Sequence, residues 1–170
     1  MASYLTFLMA VIFLTSSVSK FVSPKTFHRT LIQLGIRGRQ VRLLGWFIPS
    51  IEILTALLLV VPGGQRSGQI TMLILLLGFT AVVGKAIIKK TDTDCNCFGS
   101  FLPEKLGTST LIRLIVLIGV TVFLIASEPV ELYALPVEQL IFQVLASTGW
   151  FAIYILSAQV IRQFKALRAS

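Results

Sequence analysis

Charge is scarce in this chain of 170 residues, and acid is scarcer than base: 13% of residues are charged, with seven Asp or Glu against fifteen Lys or Arg. With a hydrophobic share of 55% and a mean hydropathy of +0.88, that scarcity excludes an ordinary soluble domain and puts the chain in the membrane class. The net charge of +8 does not signal nucleic acid, because no soluble domain carries a basic stripe interleaved with aromatics. Histidine occurs once, as His28. As a base or metal ligand it needs partners, and none is near in sequence, so it reads as an interfacial surface residue. No Lys or Arg precedes Lys20, so the start lacks the basic n-region of a cleavable signal peptide. Ser17-Val18-Ser19 is only a weak cleavage site, and a retained first helix is the better reading. Repeats at solenoid period and low-complexity tracts are absent.

What the chain has instead is long apolar blocks: Tyr4–Val18, Leu43–Val61, Ile70–Ile88, Leu111–Ile125 and Val137–Ile161. A helix needs about 20 residues to cross a bilayer, so the second, third and fifth blocks suffice by themselves. The first and fourth draw on flanking Ser, Thr and snorkelling cations. The chain reads as one domain over 1–170 with spans near 3–20, 43–61, 69–89, 109–127 and 137–163 and no β-sheet, since lipid requires every backbone group to be satisfied internally. The expected fold is an all-α integral membrane protein, a four-helix bundle plus an additional C-terminal transmembrane helix. Between the first two spans, Phe27, Leu31 and Leu34 fall at helical spacing among His28, Arg29 and Gln33, with Gly35 as a stop. A short amphipathic helix over about 26–34, lying among anionic headgroups, fits that pattern.

With five spans, fourteen of the fifteen basic residues fall on one membrane face. Lys20, Lys25, Arg29, Arg37, Arg39 and Arg42 lie around the first loop, Lys85, Lys89, Lys90, Lys105 and Arg113 flank the third, and Arg162, Lys165 and Arg168 end the chain. Arg66 is alone on the other face, with Glu128, Glu131 and Glu138. Positive-inside counting then predicts a multi-pass protein of the bacterial inner membrane, N-terminus outside and C-terminus cytoplasmic.

Both cysteines sit in Asp94-Cys95-Asn96-Cys97-Phe98-Gly99-Ser100, a polar interval between the third and fourth apolar blocks. A disulfide across one intervening residue closes a small, strained ring, which favours exchange over stapling. Lys85, Lys89 and Lys90 favour the thiolate and Asp94 opposes it, while Gly99 permits a tight turn. Two unreactive loop thiols are the bland alternative. A soft-metal site is another, although one chain offers two of the four ligands zinc takes. The second candidate is Glu52, an acid inside the second span, where an unpartnered carboxylate is costly. Lys20, Lys85 and Arg113 stand at span ends on the face of the thiol segment, so each is a candidate partner. Such a pair either locks helix packing or supports redox chemistry.

At these residues the chain resembles the methylamine utilisation protein MauE family, within the DoxX-like group of small redox-associated membrane proteins. The resemblance rests on Phe13 to Lys20, Pro24, Pro49, Glu52 and Leu57-Leu58-Leu59, and most of all on Asp94-Cys95-Asn96-Cys97-Phe98-Gly99 followed by Arg113. Asn96 stands where the family pattern more often has Gly. The resemblance implies a membrane factor for maturation of disulfide-rich periplasmic proteins, the name-giving client being the methylamine dehydrogenase small subunit. On this reading Cys95 and Cys97 are the exchanging pair, supported by Glu52, Lys20, Lys85, Arg113 and Gly99. The implied partners are the bilayer and a thioredoxin-like protein or disulfide-containing client, with a quinone as a candidate electron acceptor and no resident metal. The rival readings are an assembly scaffold with incidental cysteines and a metal-handling membrane protein. Disulfide formation belongs outside the cytoplasm, yet the charge count puts the thiols inside. A relay of reducing equivalents from the cytoplasmic side reconciles the two, as does a different helix count or a re-entrant segment.

Overall fold

A computed structural model describes residues 2–33, 35, 36, 38–88, 94, 95, 104, 105, 108–128 and 136–169. Among the described residues, six helices carry the fold: α1 (Ala2–Val22), α2 (Pro24–Gln33), α3 (Arg39–Val60), α4 (Gln65–Ile88), α5 (Thr108–Ala126) and α6 (Val137–Ala169). Between α4 and α5, β1 (Asp94–Cys95) pairs antiparallel with β2 (Glu104–Lys105), with Asp94 opposite Lys105 and Cys95 opposite Glu104. Among the described residues, this two-residue ladder is the one departure from the expected absence of sheet, and it lies in the polar connection rather than in an apolar span.

Helices α3 and α4 begin at Arg39 and Gln65, earlier than apolar blocks opening at Leu43 and Ile70 suggest. Arg39, Gln40, Arg42, Gln65 and Arg66 are polar but good helix formers, so the helix outruns the hydrophobic signal. The same reason carries α6 beyond residue 163 to Ala169. α2 ends in a Schellman motif: Ile36 N–H bonds Leu31 O at 3.1 Å and Gly35 N–H bonds Ile32 O at 2.9 Å. Gly35 has φ 90°, the left-handed conformation this stop requires.

α1 packs along α3, α3 on α4 and α4 on α5, while α1 also touches α5 and α6 lies against α1. Met9, Phe13, Leu59, Met72, Leu76, Val83 and Leu124 fill the interior between the first four of these. Phe27 and Leu31 of α2 bury against Val41 at the start of α3, with Ile36 alongside. The short helix expected at the interface is therefore pinned to α3. Large apolar side chains point outward from several helices, among them Trp46 on α3, Ile74 on α4 and Phe142 on α6, as lipid-facing surfaces require. Among the described residues, α1, α3 and α4 are long and apolar enough to cross a membrane, and the apolar stretch Thr110–Ala126 of α5 is shorter.

The α3–α4 turn is tight. A Cβ on Gly68 would stand 2.9 Å from the backbone nitrogen of Leu59 and 3.1 Å from the carbonyl carbon of Leu58. Backbone cannot yield as a flexible side chain does. Gly68→Ala is therefore expected to destabilise the protein by about 1–3 kcal/mol through overpacking, partly offset by about 1 kcal/mol of helix propensity. Thermal unfolding in detergent measures the net loss.

Candidate functional site

α1 and α3 pack together, and their contact brings Ser17 to Pro49: the Ser17 hydroxyl donates to the Pro49 carbonyl at 2.8 Å. One turn on along each helix, Lys20 and Glu52 meet. Lys20 Nζ meets Glu52 Oε1 at 2.5 Å and also donates to Ser16 Oγ at 2.8 Å. Ser16 lies four residues before Lys20, so helical geometry stacks them on one face. Both charged residues are buried, Lys20 to 3% exposure and Glu52 to 1%, so water contributes little to holding either charge.

The ammonium has aromatic neighbours too. It stands 5.6 Å from the ring centroid of Phe27 on α2 and 5.1 Å from that of Phe79 on α4, within cation–π range. Lys20 thus ties α1 to α2, α3 and α4 at one point. Glu52 is less well served, because its Oε2 is buried without a hydrogen-bond partner among the described residues. The α2–α3 contact is close nearby: His28 Nε2 would stand 2.2 Å from a Cβ on Gly45. Pro49 lacks an N–H and deprives the Gly45 carbonyl of its usual helical donor.

Of the cations read as candidate partners, the structure brings Lys20 to Glu52. Lys85 is exposed near the end of α4 and stands apart from the pair, and Arg113 is half-buried on α5. Cys95 lies on β1, opposite Glu104; Cys97 and Gly99 fall outside the described residues. Phe79 is nine residues before Ile88, so the pair sits about 14 Å along α4 from the end that leads into the thiol segment. Sequence reasoning missed Ser16, Ser17, Phe27 and Phe79 as members of this cluster. Ser16 carried a usable signal in its four-residue spacing from Lys20, whereas the aromatic contacts depend on helix packing alone.

Long apolar helices around a buried ion pair, with a short polar connection bearing cysteine, define an α-helical membrane protein. The family follows from the comparison with family models: the chain belongs to the methylamine utilisation protein MauE family, whose model matches residues 1–127, from α1 through the end of α5. Comparison with curated proteins finds no match, and comparison with solved structures finds none.

Proposed function

We propose that this protein is a membrane thiol–disulfide factor in which Cys95 and Cys97 form the exchanging pair. The family is linked to methylamine utilisation, and the reading extends that link to maturation of a disulfide-containing periplasmic client, such as the methylamine dehydrogenase small subunit. α1, α3, α4, α5 and α6 are taken as five spans of the bacterial inner membrane, and direct exchange with a periplasmic client sets the α4–α5 connection on the periplasmic face, the reverse of the orientation that the charge count predicts. One observation carries the reading: Cys95 sits on a short paired strand in the α4–α5 connection, within the family match and outside the long helices. A cysteine kept as a structural core residue belongs in the packed interior; one in a polar connection is placed for chemistry.

The exchange balances without a metal. A client thiolate attacks one sulfur of the Cys95–Cys97 disulfide, the S–S bond breaks and a mixed disulfide forms. The second client thiolate then displaces the chain's sulfur, leaving the client oxidised and Cys95 and Cys97 as thiols. A thioredoxin-like disulfide or a quinone would then take up the two electrons and two protons. Lys20 and Glu52, deeper in the bundle, support the site by fixing α1, α2, α3 and α4 at one node.

Alkylation in intact cells tests both redox state and sidedness. The reading expects Cys95 and Cys97 to cycle between oxidised and reduced forms and to react with membrane-impermeant reagent. Labelling by permeant reagent alone puts the connection in the cytoplasm and rejects direct exchange with a periplasmic client. In a thiol–disulfide buffer the purified pair should be reduced above about −300 mV, the range of labile rather than structural disulfides. A bond that resists reduction below that potential marks a staple and rejects the exchange role.

A further inference from the structure

At the end of the molecule opposite the thiol connection, the first turns of α1 and α6 border a cavity of about 510 Å³. Tyr4, Glu138, Gln139, Phe142 and Gln143 line it. The volume lies within the range of small-molecule sites. Gln143 Oε1 is buried there with no hydrogen-bond partner among the described residues. One helical turn further along α6, Ser147 is fully buried and its hydroxyl is likewise unpartnered. Buried polar atoms are normally satisfied, and two orphans at i and i+4 on one helix face call for a partner.

The charges at this end specify its sign. Glu128 and Glu138 are both exposed here, while the guanidinium of Arg66 is committed to the Ile125 carbonyl at the end of α5. The positive end of the α6 dipole alone would disfavour a cation, but Glu138 in the first turn answers it locally. A carboxylate, two amide oxygens and two aromatic rings together match an ammonium that still carries N–H groups. Beside the cavity, Ile141 and Leu145 are exposed apolar residues of α6, suited to a hydrocarbon tail.

We propose that this cavity binds the primary ammonium of an amphipathic molecule, supplied either by an ethanolamine phospholipid headgroup or by a free alkylammonium ion. The ammonium donates to Glu138 and to Gln143 Oε1, with Tyr4 and Phe142 flanking it. Apart from Tyr4, the lining residues lie beyond residues 1–127 matched by the family model, so the site is a property of this chain and independent of the thiol reading.

The test uses the full chain, purified and reconstituted with phosphatidylethanolamine or phosphatidylcholine in an anionic lipid background, then delipidated. Lipid retained on the intact protein is counted by native mass spectrometry. Phosphatidylcholine keeps the charge but has no N–H, so phosphatidylethanolamine should be retained about tenfold more, a factor equal to one charge-assisted hydrogen bond. The Glu138→Gln, Gln143→Leu double variant should lose that preference while its thermal unfolding stays unchanged. Retained phosphatidylethanolamine that millimolar ethylammonium fails to displace assigns the site to lipid. Ethylammonium bound without lipid retention assigns it to the free ion. Equal retention of both lipids with no ethylammonium binding, a preference surviving in the double variant, or a co-purifying quinone in the cavity would each overturn the proposal.

Discussion

Serine at either Cys95 or Cys97 is expected to abolish client oxidation while leaving the protein at normal level in the membrane. Exchange needs two sulfurs: one takes the client's attack and the other leaves. A single remaining thiol stops at a mixed disulfide or never forms the reactive bond. The two variants should differ in what they trap. The remaining thiolate can still attack a disulfide of the oxidised client, breaking that S–S bond and forming a mixed disulfide that no neighbouring sulfur resolves. The variant that keeps the client-facing cysteine will hold this adduct, and non-reducing electrophoresis reads it directly. Stability should change little, because both residues lie in the connection between α4 and α5, outside the interior formed by Met9, Phe13, Leu59 and Met72. Full client maturation in the Cys95→Ser, Cys97→Ser double variant would instead favour an assembly scaffold with incidental cysteines. Backbone geometry adds a reason for lability. Cys95 is in an extended, paired segment opposite Glu104, and alternate Cα atoms along extended chain stand about 6–7 Å apart, the upper limit for a disulfide. Closing the bond therefore requires a bend at Asn96, a residue that adopts turn conformations readily.

The helices were legible because lipid imposes a one-dimensional rule. Apolar length alone located α1, α3, α4, α5 and α6, and breakers such as Pro62-Gly63-Gly64 marked their ends. Helix starts were less legible, since Arg39 and Gln65 prolong a helix without adding hydropathy. For Glu52, the cost of a lone carboxylate in an apolar span already required a cation, and helix alternation limited the choice to residues on one face. Choosing Lys20 over Lys85 and Arg113 needed the α1–α3 register, which depends on contacts such as Ser17 with Pro49. The α6 cavity was illegible for a similar reason: Tyr4 and Gln143 are far apart in sequence and meet only because α6 packs on α1. Composition reports that a residue is out of place in lipid; tertiary packing decides what answers it.

Lys20→Met is expected to cost more stability than any other single change at the buried cluster, about 3–5 kcal/mol, because it leaves the Glu52 charge without a counterion. Oε1 would lose the Lys20 ammonium, and Oε2 has no hydrogen-bond partner among the described residues. Glu52→Gln should cost less. Its amide oxygen can still accept from Lys20, and the ammonium retains Ser16 and the faces of Phe27 and Phe79, with a cation–π contact contributing about 0.5–2 kcal/mol. The double change Lys20→Met, Glu52→Leu removes both charges and fills the space, so it should recover most of the loss, as apolar replacements of buried pairs do. Unfolding measured for the wild type, both singles and the double variant in one detergent completes a mutant cycle, and the coupling energy belongs to the pair. Client oxidation by the double variant then separates the two roles open to the pair. Restored folding with restored exchange makes Lys20–Glu52 a lock on helix packing. Restored folding with exchange still lost would show that the charges act on the thiol chemistry, some 14 Å along α4 from its thiol-segment end, and not only on the scaffold that carries it.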